Sequence, residues 1–245
     1  MVNVETIYGK HPLFLALKNR PGDFLNIYTS NIGELNQYIN NNDIRINLKI
    51  IKYKSNAELS KMVKSSVNHQ GYLAEVRQGK KIDIYDFVNE KCTNNTDLPR
   101  LLILDGLTDP HNVGAIMRTA VAFGVDHVIK TERNSPKDVS IISKTSAGIS
   151  ELINIIEVIN INRTIEILKK AGYFIVGLCE KSEESLKNMK NTNNLCVVVG
   201  SEGKGLRQLV RKNCDVLCSI KMHNSNVDSL NASVATALAI YELWG

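Results

Sequence analysis

The 245-residue sequence lacks several features that would mark a secreted, membrane or metal-binding protein. Its cysteines number only five and form no CxxC pair, which argues against a zinc site and indicates free thiols in a reducing compartment. No apolar run approaches the ~20 residues of a membrane span, and the first residues, MVNVETIYGKHPLF, lack the basic and then apolar pattern of a secretion signal. We therefore expect a cytoplasmic protein with no metal and no membrane association.

Composition and charge leave the function open. The formal net charge of +5 at pH 7 permits nucleic-acid binding but does not require it. With 43% hydrophobic and 22% charged residues, the chain resembles ordinary globular proteins. Its length allows one large domain or two smaller ones, each with its own core.

Two hydrophobic patterns divide the chain. Residues 1–90 alternate short helical and extended segments, and residues 91–98 lose this periodicity, which indicates a linker. Residues 99–245 alternate strands with helices, a pattern that predicts an α/β domain with a mainly parallel sheet. In the first part we predict helices over His11–Asn19, Gly33–Asn42 and Ala57–Ser65, and strands over Leu25–Thr29, Leu48–Tyr53 and Gly71–Val76.

The second part has the longer elements. Its predicted strands are Leu101–Leu107, His127–Lys130, Ile153–Val158, Tyr173–Leu178, Leu195–Val199 and Val216–Ile220. Helices are predicted over Asn112–Phe123, Ser140–Ala147 and Arg163–Ala171, and an Ala-rich helix follows Asn231.

Two loops follow predicted strands in the last fifth of the chain. The first contains Gly200, Gly203 and Gly205, and the second is polar and leads into Ser229 and Asn231. Because open α/β sheets bind ligands at the carboxyl ends of their strands, these loops predict a small-molecule site. The segment GSEGKG fits neither GxGxxG nor GxxxxGK[ST], which argues against a Rossmann-type cofactor.

Each candidate side chain has an ordinary structural alternative. Glu202 is either a ligand-contacting carboxylate or a helix N-terminal charge, and Asn112 alone would be an N-cap. Arg118 lies on a helix with apolar or small neighbours, so its charge reaches either solvent or an anionic partner. Ser229 and Asn231 could form the N-cap region of the last helix. The small residues of that helix would allow another helix, a ligand or a second subunit to approach.

Three ordered segments carry a family resemblance. LDGLTDPHNVGAIMRTAVAFGV at Leu104–Val125, VVVGSEGKGL at Val197–Leu206 and SIKMHNSNVDSLNASVATALAIYE at Ser219–Glu242 together resemble the SPOUT class of RNA methyltransferases, in its ribose 2′-O-methylating branch. Near the start, IYGKHPLFLAL and HQGYLAEV, the latter at His69–Val76, resemble the small ribosomal-protein-like substrate domain of the bacterial members that act on large-subunit rRNA.

The resemblance implies a fold and a cofactor. Residues 1–90 would be a small α/β RNA-binding domain and residues 99–245 the catalytic domain, whose carboxyl-terminal segment is threaded into a deep trefoil knot. S-adenosylmethionine would be held by Val199, Gly200, Ile220, Met222 and Leu230. A homodimer with the site near its interface is also implied.

The resemblance also assigns catalytic positions, namely Asn112, Arg118, Glu202, Ser229 and Asn231. Lys221 departs from the family's usual Ile-Pro-Met, which affects the expected rigidity of that loop. We expect Arg118 to act as an electrostatic stabiliser and Glu202 to be a second candidate for the base, because a guanidinium keeps its proton to a pKa above ~12.

The expected reaction is methylation of a ribose 2′-hydroxyl, in a guanosine of 23S-type rRNA. A tRNA ribose methyltransferase of the same branch is one alternative. A catalytically silent RNA-binding or ribosome-assembly protein is the other.

Overall fold

A computed structural model describes residues 3–63, 67–79, 81–93, 97–132, 152–189, 192–222 and 229–245. These residues form two compact units, one containing residues 3–79 with Leu152 and the other beginning at Lys81. The predicted helix Ser140–Ala147 lies outside the described residues. None of the helices in the described ranges combines the length and the apolar character that a membrane crossing requires.

The first unit is a four-stranded sheet covered by helices. Its strands lie in the order β1-β4-β2-β3, with β4 antiparallel to β1 and β2, and β2 parallel to β3. The helices bury Leu13, Leu17 and Leu35 against Ile27 and Ala74 of the sheet. The elements are β1 (Val4–Tyr8), α1 (Lys10–Asn19), β2 (Phe24–Thr29), α2 (Ile32–Asn41), β3 (Ile51–Tyr53), α3 (Asn56–Met62) and β4 (Tyr72–Arg77).

The second unit contains a parallel sheet. Its described strands lie in the order β10-β8-β9-β5-β6-β7, and each neighbouring pair is parallel. This arrangement confirms the predicted α/β class with a mainly parallel sheet. The elements are α4 (Ile84–Lys91), β5 (Leu101–Asp105), α5 (Pro110–Ala122), β6 (His127–Thr131), β7 (Asn154–Val158), α6 (Ile161–Lys170), β8 (Phe174–Leu178), β9 (Leu195–Gly200), α7 (Gln208–Asn213), β10 (Val216–Cys218) and α8 (Ala232–Trp244).

Three of the described elements were not predicted from the sequence, namely strand β1, helix α4 and the short helix α7. Strand β1 is short, and its first residues are exposed, so it has no continuous apolar run. Helix α4 precedes the predicted linker, yet it buries Ile84 and Phe87 in the core of the second unit. The contacts therefore divide the chain after Lys80, earlier than the predicted boundary at residue 90.

Strands β5 and β9 lie at the centre of the parallel sheet because both are continuous apolar runs that can be buried on both faces. They pair in register, with Asp105 opposite Gly200, so they end at the same edge. Helix α5 begins beyond that edge after Asp109, whose side chain accepts a hydrogen bond from the backbone N–H of His111 at 3.0 Å. The N-cap is thus Asp109, and Asn112 lies within the first turn of the helix.

Candidate functional site

A cavity of about 310 Å³ lies at the carboxyl edge of the parallel sheet. The ends of β8, β9 and β10 and the start of α8 form its walls. All five predicted donor-binding residues line it, namely Val199, Gly200, Ile220, Met222 and Leu230, and so does Ser229. Lys221 is exposed between two of these lining residues. The cavity lies within the size range of sites for small molecules.

Residues 200–206, which we call the glycine loop, form one wall of the cavity and fold back on strand β9. Ser201 and Gly205 exchange backbone hydrogen bonds of 3.2 and 2.8 Å, and Gly203 and Gly205 have φ values of 73° and 61°. A Cβ atom on Gly200 would lie 2.1 Å from the carbonyl carbon of Gly205. The backbone of residues 205 and 206 therefore occupies the space where a side chain at position 200 would lie.

Three of the predicted catalytic residues meet beside the cavity. Glu202 Oε1 accepts hydrogen bonds from Asn112 Nδ2 at 3.0 Å, from Asn231 Nδ2, and from the backbone N–H of Ala232 at 3.4 Å. Asn231 Nδ2 also donates to Asn112 Oδ1 at 3.1 Å. We call these three side chains the Asn112–Glu202–Asn231 cluster.

Asn231 also begins helix α8. Its Oδ1 accepts the backbone N–H groups of Ser233 at 2.9 Å and Val234 at 3.3 Å, as an N-cap side chain does. One amide side chain thus fixes the helix start with its oxygen and reaches the cluster with its nitrogen. Asn231 therefore combines the capping role that the sequence allowed with contacts to Asn112 and Glu202.

Arg118 does not join the cluster. It is exposed on helix α5, six residues after Asn112, which places it roughly 120° around the helix axis from that residue. The structure therefore brings together Asn112, Glu202 and Asn231 beside a cavity that Ser229 lines, and leaves Arg118 on the surface.

Asp105 and Arg207 form an ion pair that the sequence did not predict. The Asp105 side chain is fully buried, and its carboxylate accepts the Arg207 backbone N–H at 2.9 Å and Nε at 2.6 Å. A charged residue at the end of the apolar run LLILD was a visible signal, because a buried carboxylate needs a partner. The partner lies 102 residues later, and no local pattern connects the two.

Burial raises the pKa of three thiols in the second unit. Burial raises the pKa of Cys214 to about 12 and that of Cys218, which lines the cavity, to about 11. Burial also raises the pKa of Cys196 well above its usual range. All five cysteines are free. Within the described ranges, no cluster of histidine, cysteine or acidic side chains has the arrangement of a metal site.

These features define an α/β protein with a small-molecule cavity and a polar cluster at the carboxyl edge of a parallel sheet. The model of the SpoU rRNA Methylase family matches residues 99–241, and the chain belongs to that family.

Relatives extend the similarity over the whole chain. A protein of Pectobacterium atrosepticum named 23S rRNA (guanosine-2′-O-)-methyltransferase RlmB is 36% identical over 97% of this chain and 96% of its own length. The Escherichia coli protein of the same name is 34% identical over 97% of both chains.

Solved structures share the fold at lower identity. The SpoU methyltransferase AviRb from Streptomyces viridochromogenes, in complex with the cofactor AdoMet, has a TM-score of 0.77 at 20% identity over 98% of this chain and 89% of its own. An AdoMet-bound rRNA methyltransferase from Sinorhizobium meliloti has a TM-score of 0.77 at 17% identity, over 98% and 86% of the two chains.

Proposed function

We propose that the protein is an S-adenosylmethionine-dependent methyltransferase that methylates the ribose 2′-hydroxyl of a guanosine in 23S-type rRNA. One observation carries the proposal: the cavity lined by all five predicted donor-binding residues adjoins the Asn112–Glu202–Asn231 cluster, and both are built on the glycine loop. The names of the full-length relatives supply the rRNA and the guanosine. We also propose a cytoplasmic location, which a 23S-type rRNA substrate supports.

The reaction is a displacement at the methyl carbon, in which the bond to the ribose 2′-oxygen forms as the bond to the donor sulfur breaks and the hydroxyl proton is released to water. Donor and ribose must therefore be held in line. S-adenosylmethionine would supply the methyl group from a positively charged sulfur, and an apolar wall around Val199 and Leu230 would favour the loss of that charge on transfer. Ser229 lies at the same cavity, where its hydroxyl can hydrogen-bond the donor or the ribose. The closed glycine loop supplies backbone groups to the donor without large side chains in the way.

We assign the polar side chains by what they contact. Glu202 accepts three hydrogen bonds, so its role is to hold Asn112, Asn231 and the start of α8 in place. The two asparagines orient the ribose and the loop. Arg118 is exposed, and its planar guanidinium suits binding of the target phosphate and stabilisation of the 2′-oxygen. An Arg118→Lys enzyme is expected to lose turnover, because an ammonium group does not reproduce the planar set of N–H donors of the guanidinium.

The first unit is proposed to bind the RNA substrate, as a ribosomal-protein-like domain. The two segments that carry this resemblance meet at one end of its sheet, where Gly9 N–H bonds Tyr72 O at 3.1 Å and Lys10 N–H bonds Gln70 Oε1 at 3.2 Å. Nearby, Asn56 Oδ1 accepts from Ser30 Oγ at 2.9 Å. Both amide oxygens are used within the protein, and the amide NH₂ groups of the exposed Gln70 and Asn56 are the donors that we propose for RNA acceptors.

A direct test replaces these two amides. The double variant Gln70→Ala/Asn56→Ala should bind a 23S rRNA fragment several-fold more weakly in a filter-binding assay, with unchanged affinity for S-adenosylmethionine. Gln78→Ala, an exposed amide of the same unit after strand β4, is the matched control. Equal RNA affinity in the double variant and the control would remove this surface from the proposal.

We also propose that the carboxyl-terminal segment forms the family's trefoil knot. Strand β10 lies at one edge of the parallel sheet, next to β8. Beyond it, helix α8 packs against α5 and begins at Asn231, whose side chain reaches Asn112 and Glu202. The chain thus returns from the sheet edge to the loops of its two central strands, as a threaded segment must.

A homodimer is the proposed assembly. Helix α8 exposes Val234, Leu238 and Tyr241 at 47%, 44% and 63%, and their spacing of four and three residues puts them on one face. A second copy of this chain would cover that face beside the site. Leu238→Glu should give a monomer by light scattering, whereas Leu209→Glu, at a 63% exposed leucine of α7, should not change the mass.

The substrate is tested by mapping 2′-O-methylated nucleotides in rRNA and tRNA from cells with and without the gene. Loss of one guanosine mark in 23S-type rRNA is expected. An unchanged rRNA together with a tRNA that loses its mark would make the tRNA alternative correct. Calorimetry with S-adenosylmethionine tests the silent-protein alternative, because a protein without a donor site shows no binding heat.

A further inference from the structure

The ion pair between Asp105 and Arg207 is built around a carboxylate that has no access to solvent. The Asp105 side chain is 0% exposed, and its Oδ1 contacts both Arg207 Nε and Nη2 at 2.6 Å, while its Oδ2 accepts the Arg207 backbone N–H at 2.9 Å. A single residue thus satisfies the buried carboxylate with three donors. The Arg207 side chain is 55% exposed and lies outside the cavity lining.

The position of the pair relates it to the glycine loop. Asp105 ends strand β5 directly opposite Gly200, where the loop begins. Arg207 follows Leu206, where the loop ends. Both ends of the loop are therefore fixed on the same strand end, one by the sheet and the other by the ion pair. The contacts of Glu202 hold the middle of the loop from the opposite side.

We infer that Asp105 and Arg207 are positioning residues that keep the donor-binding loop in its binding shape before the donor arrives. The inference rests on the proposed donor site. A loop that is already ordered does not lose conformational entropy on binding. When fewer molecules have the binding-competent loop shape, the apparent affinity for the donor decreases in the same proportion. Without the Arg207 side chain, the glycine loop is anchored at its Gly200 end only.

The inference predicts that loss of the Arg207 side chain weakens donor binding much more than it lowers kcat. Arg207→Ala should weaken S-adenosylmethionine binding at least tenfold by calorimetry, with kcat at saturating donor and RNA within about threefold of the wild type. Turnover is retained because Arg207 touches neither the cavity nor the cluster. A merely structural role would lower the melting temperature without this selective loss of donor affinity.

Two further variants make the result decisive. Arg207→Lys keeps the charge beside Asp105 and so protects folding, but an ammonium cannot make the two side-chain bonds of the guanidinium, so donor affinity should fall three- to tenfold. Lys169→Met breaks a comparable ion pair in the same unit, with Asp215 at 2.8 Å, which does not touch the loop. Its donor affinity should stay within twofold of the wild type, whatever its melting temperature.

Hydrogen exchange of the donor-free protein gives a readout independent of activity. The backbone amides of Ser201 and Gly205 should exchange faster in Arg207→Ala and Arg207→Lys, while the amide of Ile103 in the strand core stays protected. The inference would be overturned if the Ser201 and Gly205 amides exchanged at the wild-type rate in both Arg207 variants. It would also be overturned if the Arg207 variants bound the donor as tightly as Lys169→Met does. A wrong RNA substrate would not affect these measurements. A wild type that binds no donor would refute the cofactor assignment, and the exchange rates would still decide on the ion pair.

Discussion

Glu202 joins side chains from three distant parts of the chain. Asn112 lies 90 residues before it and Asn231 lies 29 residues after it, yet both donate to the same carboxylate oxygen. All three donors reach Oε1, and this oxygen holds the cluster together, whereas the Oε2 atom makes none of these bonds and Glu202 lines the cavity. The contacts thus establish a holding contact for one oxygen, and the role of base, which needs an oxygen facing the substrate, is decided by substitution.

Substitution at Glu202 separates the two roles. Glu202→Gln keeps an oxygen acceptor, so kcat/KM for rRNA methylation should fall by no more than about tenfold, whereas Glu202→Ala should lose about 100-fold or more. Removal of a general base would instead cost Glu202→Gln about 10²- to 10⁴-fold. Glu166→Gln, at an exposed carboxylate on α6, is the control and should keep full activity.

Gly200 is the position where the glycine loop requires glycine. In Gly200→Ala the new Cβ would lie 2.1 Å from the backbone of Gly205, so the loop must move and donor binding should be lost in calorimetry. Gly203→Ala is the matched control: its φ is 73°, but its Cβ would meet no atom within 4 Å. Gly203→Ala should lose only about 1 kcal/mol of unfolding free energy, because alanine is strained in the left-handed backbone conformation.

At the scale of elements, strand β6 begins with a buried histidine. His127 is 6% exposed, its ring lies 4.7 Å from that of Phe87 in α4, and its Nδ1 has no hydrogen-bond partner among the described residues. Burial lowers the pKa of His127, and nearby Lys91 acts in the same direction while Asp126 opposes it. Protonation of this side chain therefore weakens the packing of α4 on the sheet.

The pH dependence follows from the sign of that shift. Because the pKa is lower in the folded than in the unfolded protein, the stability that the neutral ring provides is complete above the unfolded pKa of about 6.5 and is lost as the pH falls below it. Urea unfolding at pH 7.5, 6.5 and 5.5 should show a smaller loss of unfolding free energy in His127→Leu than in the wild type. Equal losses in both proteins would show that another group is responsible.

At the scale of the whole molecule, the position of α4 decides where the chain can be cut. Ile84, Phe87 and Cys92 belong to the core of the second unit, although they precede the predicted catalytic domain. The segment Lys81–Ile82 also belongs there, since Lys81 pairs with Glu157 at 3.0 Å and Ile82 bridges to Ile156 of β7. The second unit is therefore complete only from Lys81.

Two fragments test this division. Residues 81–245 should fold alone and bind S-adenosylmethionine within about threefold of the full chain, but should lose rRNA methylation, because the RNA-binding unit is absent. Residues 99–245 lack α4 and with it the buried Phe87. The loss of this one side chain from the core is enough to lower the melting temperature by about 10 °C or more relative to the longer fragment. Equal melting temperatures by calorimetry would place the boundary where the sequence pattern suggested.

The sequence alone determined the fold class, most of the elements and a set of residues that line the cavity. Continuous apolar runs such as Leu195–Val199 are typical of strands buried on both faces, and glycine-rich or polar segments after them indicate the ligand edge. The pattern indicated two strand-end loops, and the five residues that the family resemblance named within them all line the cavity.

Only the tertiary structure decided which polar groups meet. The pairing of Asp105 with Arg207, the meeting of Asn112 with Asn231, and the burial of α4 in the second unit all join residues that are distant in sequence. Hydrophobic periodicity reports which face of an element is buried, but it carries no information about the partner across the sheet. A hydrogen bond or an ion pair depends on positions within a few tenths of an ångström, and those positions are fixed only when the strands pair and the loops close.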